Sequence, residues 1–73
     1  MKNYRIKDLR EDNDLTQQKI AKILRISQRT YSHYEVGDRN IPIEVFIELS
    51  EFYNTSVDYI LGLTNETRPY KRK

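Results

Sequence analysis

The sequence predicts an all-α domain in which five short helices surround one core. Three observations carry this. Apolar residues recur every three or four positions instead of alternating. Hydroxyl residues suited to capping a helix, Thr16, Ser27 and Ser56, stand just before periodic segments. Residues that end helices, Gly37, Asn54 and Gly62, stand just after them.

The first helix is expected from Asn3 to Asp12, with Ile6, Leu9 and Tyr4 on its inner stripe. The run EDND ends it, because short polar side chains bond their own backbone and compete with the helix. Thr16 caps the second helix, with Lys19 instead of Glu at the third position, so the capping box is incomplete. Ile20, Ala21 and Leu24 share its inner face, and Ala21 is small enough to admit a close neighbour. Arg25 and Ile26 make a short break. Ser27 then caps a third helix over Gln28 to Val36, with Tyr31 and Tyr34 inward and Gly37 as C-cap.

The run DRNIP reads as a loop. Pro42 fits the first turn of a fourth helix, where its missing N–H is no loss. Ile43, Phe46, Leu49, Ser50 and Tyr53 are expected inward and Glu44, Glu48 and Glu51 outward. Asn54 ends this helix. Ser56 caps the fifth, with Val57, Ile60 and Leu61 inward and Gly62 at its end. Residues 1–64 thus form one domain, and 65–73 read as a basic, flexible tail.

Composition excludes several classes. With 73 residues the chain holds one domain at most, near the lower edge of independent stability. It has no cysteine, which removes disulfides, thiolate zinc sites and cysteine catalysis. His33, the single histidine, does not make a metal site by itself, so no metal or cofactor is expected. No apolar run nears the roughly 20 residues that cross a bilayer, and the charged N-terminus lacks a signal-peptide core. A cytoplasmic protein is expected. No set of carboxylates, glycine-rich loop or nucleophile–histidine–acid group suggests an enzyme; Ser32 and His33 are successive helix residues, about 100° apart, and make no dyad.

Charge is uneven beneath a net +2. Residues 1–35 carry eight Lys/Arg against five Asp/Glu, whereas 36–67 carry Arg39 against six acids. The last six residues, RPYKRK, carry four bases and no acid. Such asymmetry suits one face turned to an anion and another kept away from it.

Helices 16–24 and 27–36, joined by a tight turn, read as a helix-turn-helix. In that motif the second helix presents its N-terminal residues to the DNA major groove. Gln28 suits adenine and Arg29 suits guanine, each through two hydrogen bonds. Ser32 and His33 lie on the same outer side, and Thr30 adds a further donor. Gln17 and Gln18 open the second helix, whose positive end suits a phosphate. Arg39 and Asn40, past the third helix, suit another.

The stretch LTQQKIAKILRISQRTYSHYEVGDRNIP is similar to the helix-turn-helix core of the phage Cro/repressor-like regulators, the XRE family. LSEFYNTSVDYILGLT resembles the last two helices of the same lambda-repressor-like domain, so the likeness covers about residues 4–64. The sparse features that carry it are Gln17 after Thr16, Ala21 four residues on, Ser27, Tyr34-Glu35 with Gly37, and Pro42. The resemblance implies that Gln28, Arg29 and His33 face bases and that Gln17, Arg39 and Asn40 meet the DNA backbone; from their own positions Gln18 and Thr30 are expected at phosphates as well. It also implies an ion pair between Arg10 and Glu35 joining the first and third helices. Two departures stand out. Arg25 occupies a turn position where the family usually has glycine in a left-handed backbone, and Tyr31 replaces a smaller aliphatic residue, so its hydroxyl needs a partner or water.

Family members usually dimerise, placing two recognition helices one DNA turn apart, roughly 34 Å. A homodimer on a pseudo-palindromic operator is therefore expected. Phe52, Tyr59, Leu63 and Tyr70 are the apolar residues left over for its surface. Too few residues follow the domain for an effector pocket. The resulting expectation is a sequence-specific transcriptional regulator of repressor type; the alternative is an antitoxin or protein-interaction module on the same fold.

Overall fold

A computed structural model describes residues 4–69. Five helices follow in chain order: α1 (Ile6–Asp12), α2 (Gln17–Leu24), α3 (Gln28–Val36), α4 (Ile43–Phe52) and α5 (Val57–Leu61). No strand occurs among the described residues. No helix among them is long and apolar enough to cross a membrane.

The start of α1 corrects the expected boundary. Asn3 lies outside the described residues, Tyr4 and Arg5 are not helical, and the helix begins at Ile6 with no side-chain cap. Arg5 is committed elsewhere. Its N–H donates to the Ile60 carbonyl at 2.9 Å. Its guanidinium donates to the Tyr59 and Thr64 carbonyls at 3.3 and 2.8 Å and to Asn65 Oδ1 at 2.8 Å. It also stacks over the Tyr59 ring, 4.2 Å from the centroid. These bonds hold the chain entrance against α5 and leave no first helical turn at residues 4 and 5.

Capping chemistry fixes the other starts. Thr16 Oγ1 accepts from the Lys19 N–H, Ser27 Oγ from the Thr30 N–H, and Ser56 Oγ from the Tyr59 N–H, each at 3.0 Å. Gly37 and Gly62 end α3 and α5 with φ of 89° and 81°, the left-handed region where a Cβ is strained. α2 ends differently: Arg25 takes φ 60° and ψ 39° without being glycine. The conformation lets the Arg25 and Ile26 N–H groups reach the Lys22 and Ala21 carbonyls at 3.1 and 3.0 Å. The Arg25 guanidinium meets Glu48 at 3.2 Å.

The core draws on every helix. Ile6, Ile20, Leu49 and Ile60 are fully buried, and Tyr31 fills the centre from α3. Ala21, 2% exposed, is the small residue at the close approach of α2 and α3. Tyr4 packs edge-on against Phe46, with ring centroids 5.2 Å apart. Leu9, Tyr53, Val57 and Leu61 pack around this centre half-buried. Ile43 is a correction: it is 57% exposed, and Val45 is buried in its place. Ile43 is the first residue of α4, directly after the Pro42 cap, where the helix has no preceding turn to cover it.

Residues 65–69 do not leave the domain as the start of a free tail. Thr55, almost fully buried, donates its hydroxyl to the Thr67 carbonyl at 2.6 Å, and Arg5 holds Thr64 and Asn65. Tyr70 and the bases at 71–73 lie outside the described residues.

Candidate nucleic-acid interface

The surface of interest is the outer side of α3. Its residues follow one another at 100°, so positions 28, 29, 32 and 33 share an arc of roughly 140°. Tyr31 and Tyr34 fall outside that arc and are 0% and 7% exposed. The tyrosines pin the helix from behind, and the polar residues are left outward. Gln28 and Arg29 are exposed, and Ser32 and His33 are half-buried on the same side. Thr30 is turned back toward the helix start, where its Oγ1 accepts from Ser27 Oγ–H at 2.9 Å.

α2 presents its N-terminus beside this arc. Its first N–H groups are the unpaired donors of a helix start, with the positive end of the peptide dipoles behind them. A shallow hollow of about 200 Å³ lies there, lined by Thr16, Gln18, Lys19 and Lys22. Two ammonium groups and the helix end make it electropositive. On the far side of α3, Arg39 and Asn40 are exposed and border a cleft of about 240 Å³ with Tyr4, Tyr34, Gly37 and Ile41.

Behind the arc lies a charge network that spans three helices. Arg10 Nε donates to Glu35 Oε2 at 2.6 Å and its Nη2 to Oε1 at 3.2 Å, while Nη1 donates to the Leu15 carbonyl at 2.9 Å. The side chains are only 12% and 5% exposed. Gln17 Nε2 donates to the same Glu35 Oε1 at 3.0 Å. Burial would raise the Glu35 pKa, but the bonds from Arg10 and Gln17 and the nearby Tyr31 hydroxyl outweigh it and hold the carboxyl below its ordinary range. The Arg10 guanidinium is driven the other way, above its usual value, chiefly by its bond to Glu35.

Sequence gave no sign that Gln17 is tied inward. The placement leaves its backbone N–H at the helix start and turns its amide toward the ion pair. The buried hydroxyl oxygens of Tyr31 and Tyr53 have no well-aligned protein hydrogen bond among the described residues. Burial first, and then the neighbouring Glu35 carboxylate, push the Tyr31 pKa upward.

Another pairing went unforeseen: His33 Nδ1 lies 2.9 Å from Asp38 Oδ1. It joins two residues across the Gly37 turn, where no periodicity marks it. No group of three or more His, Asp, Glu or Cys side chains able to hold a metal occurs among the described residues.

The residues expected at a dimer surface differ in exposure. Phe52 is 44% exposed, with its ring edge-on to Tyr53 at 5.0 Å, and Leu63 is 73% exposed. Tyr59 is half-buried under the Arg5 guanidinium.

Comparison with known proteins agrees with this geometry. A family model described as helix-turn-helix matches residues 6–60. The chain is 35% identical over 65 residues to the uncharacterized HTH-type transcriptional regulator YobD of Bacillus subtilis, covering 89% of this chain and 58% of YobD. It is 32% identical to the cryptic phage CTXphi transcriptional repressor RstR of Vibrio cholerae, covering 78% of this chain and 51% of RstR. It is 37% identical to the antitoxin PezA of Streptococcus pneumoniae, covering 78% of this chain and 36% of PezA. The chain therefore spans about half the length of the first two and a third of the last. No solved structure matches it significantly.

Proposed function

The chain belongs to the helix-turn-helix family of Cro/repressor-like regulators, and from that premise we propose that it is a sequence-specific DNA-binding transcriptional regulator acting as a repressor. α3 enters the major groove with Gln28 and Arg29 leading and Ser32 and His33 behind them. Gln28 bonds the N6/N7 edge of adenine, and Arg29 bonds the O6/N7 edge of guanine. The α2 N-terminus receives one phosphate through the backbone N–H groups of Gln17 and Gln18, with Lys19 and Lys22 adding charge. Thr30 and the pair Arg39 and Asn40 meet the backbone on the other flank. These phosphate contacts set register, and the α3 arc sets sequence.

One helix reads only a few base pairs, so the working unit is a homodimer on a pseudo-palindromic operator in the cytoplasm. Phe52, Tyr59 and Leu63 belong to the proposed dimer surface. The observation that carries the reading is the division of α3 itself: two buried tyrosines on one side and a continuous polar arc on the other.

The similarity to an antitoxin favours a second reading, in which the same DNA-binding domain also answers to a protein partner. The test is selection of bound sites from a random duplex pool by the purified chain. Recovery of a short motif repeated with inverted symmetry about one helical turn apart supports the regulator. Failure to enrich any sequence, at a salt concentration that preserves non-specific binding, rejects it.

A further inference from the structure

His33 and Asp38 form a contact that the proposed groove reading leaves unused. Gly37 turns the chain back at the end of α3 with φ 89°, and the next residue brings its carboxylate onto the imidazole. The distances from His33 Nδ1 are 2.9 Å to Oδ1 and 3.1 Å to Oδ2. No hydrogen bond engages Nε2 among the described residues.

A carboxylate ion offers only lone pairs. Two such oxygens at bonding distance therefore place the proton on Nδ1. In a neutral ring the proton has one home, so the bond made by one nitrogen settles the role of the other. Nε2 is then an acceptor. It is also the ring nitrogen that Asp38 leaves unbonded, on a residue of the α3 arc that carries Gln28 and Arg29.

We infer that Asp38, which itself touches no base, is a specificity-determining positioning residue: it holds His33 as a hydrogen-bond acceptor toward the groove. With the ring neutral, the base pair beneath His33 must then present a donor, the N4 amino group of cytosine or the N6 amino group of adenine. Freed from Asp38, the ring returns to the Nε2–H form that unconstrained histidine side chains favour. That form donates, and it suits guanine O6/N7 or thymine O4 instead. A change in an exposed turn thus rewrites one position of the site. The inference rests on the reading of α3 as the groove helix.

The test has two arms, both on the full chain. In the first, two-bond proton–nitrogen spectra of the 15N-labelled protein at pH 8.5 report the His33 tautomer directly. Wild type and Asp38→Asn, whose amide oxygen still accepts, should show Nδ1–H; Asp38→Ala and Asp38→Ser should show Nε2–H. In the second arm, each protein selects sites from a random duplex pool at the same pH. Wild type and Asp38→Asn should prefer cytosine or adenine at one pair on the order of tenfold. Both truncated variants should lose that preference and keep the rest of the motif. Circular dichroism confirms that each variant keeps its helices, and the pair of truncations guards against one failing to fold. An Nε2–H wild-type ring, or an unchanged preference in the truncated variants, overturns the inference while leaving the groove reading intact. A wild type that enriches no sequence overturns the groove reading itself, and the inference with it.

Discussion

Arg10 and Glu35 lock α1 to α3 through two hydrogen bonds, at 2.6 and 3.2 Å, with both side chains almost withdrawn from water. Placed this deep, each charge depends on the other. Removing only one strands its partner, which typically costs about 3–5 kcal/mol. For a domain of this size that is a large share of the total. Glu35→Ala should therefore lower the denaturation midpoint sharply. The double substitution Arg10→Met/Glu35→Leu should recover most of the loss, because it removes both charges and fills the space. A double variant no more stable than Glu35→Ala would show that hydrogen bonds to Leu15 and Gln17, and not the ion pair, carry the stabilisation.

The depressed Glu35 pKa fixes the sign of the acid response. A carboxyl that binds its proton less readily when folded contributes stability above the ordinary glutamate range, roughly pH 4.3. That contribution drains away as pH falls through the folded-state value. Stability should thus decline below about pH 4.3, and Glu35→Gln should flatten the slope there. At the alkaline end the buried Tyr53 hydroxyl, pushed up to about 12 mainly by burial, acts oppositely. Its contribution is whole below roughly pH 10 and lost as pH climbs through the raised value. Unfolding titrations of wild type and Glu35→Gln across this range check both signs.

The Tyr31 hydroxyl is buried beside Glu35, whose carboxylate it helps to hold ionised. Removing it deletes a desolvation cost and, with it, that support, so the two effects oppose each other. Tyr31→Phe should stay within about 1 kcal/mol of wild type in urea unfolding while raising the Glu35 pKa. An unchanged Glu35 titration would show that Arg10 and Gln17 alone hold the carboxylate.

Arg25 turns the corner between α2 and α3 with φ 60°. A side chain in that region costs roughly 1 kcal/mol, and the Arg25–Glu48 contact that partly offsets it is exposed and weak. Arg25→Gly should raise stability by about 0.5–1 kcal/mol and leave the helix-turn-helix unchanged. If the variant is less stable than wild type, the contact with Glu48 outweighs the backbone strain.

How much of this was open to reading from sequence depends on range. Local features were legible: Thr16, Ser27 and Ser56 cap as their hydroxyls dictate, and Tyr31 and Tyr34 turn inward by helical spacing. Arg25 was legible too, since a tight corner demands a left-handed residue whatever its identity. The start of α1 was not, because Arg5 answers to α5, far along the chain. Ile43 was not legible either: its phase along α4 is inward, yet at the first position of the helix it stays exposed. On the candidate interface, residue types marked the α3 arc. The two pairings that hold its side chains, Gln17 with Glu35 and His33 with Asp38, join separate elements and left no periodic trace.

The central claim is that α3 reads bases while its flanks hold phosphates. Affinities of wild type, Arg29→Ala and Arg39→Ala for the selected operator, for single-base variants of it and across a salt series test that division most directly. Arg29→Ala should abolish discrimination at one or two pairs, at a cost of about 1–3 kcal/mol, with little change in salt slope. Arg39→Ala should weaken every sequence alike and reduce the slope by about one. An Arg29→Ala protein whose affinity drops by the same factor for all sequences would contradict the claim.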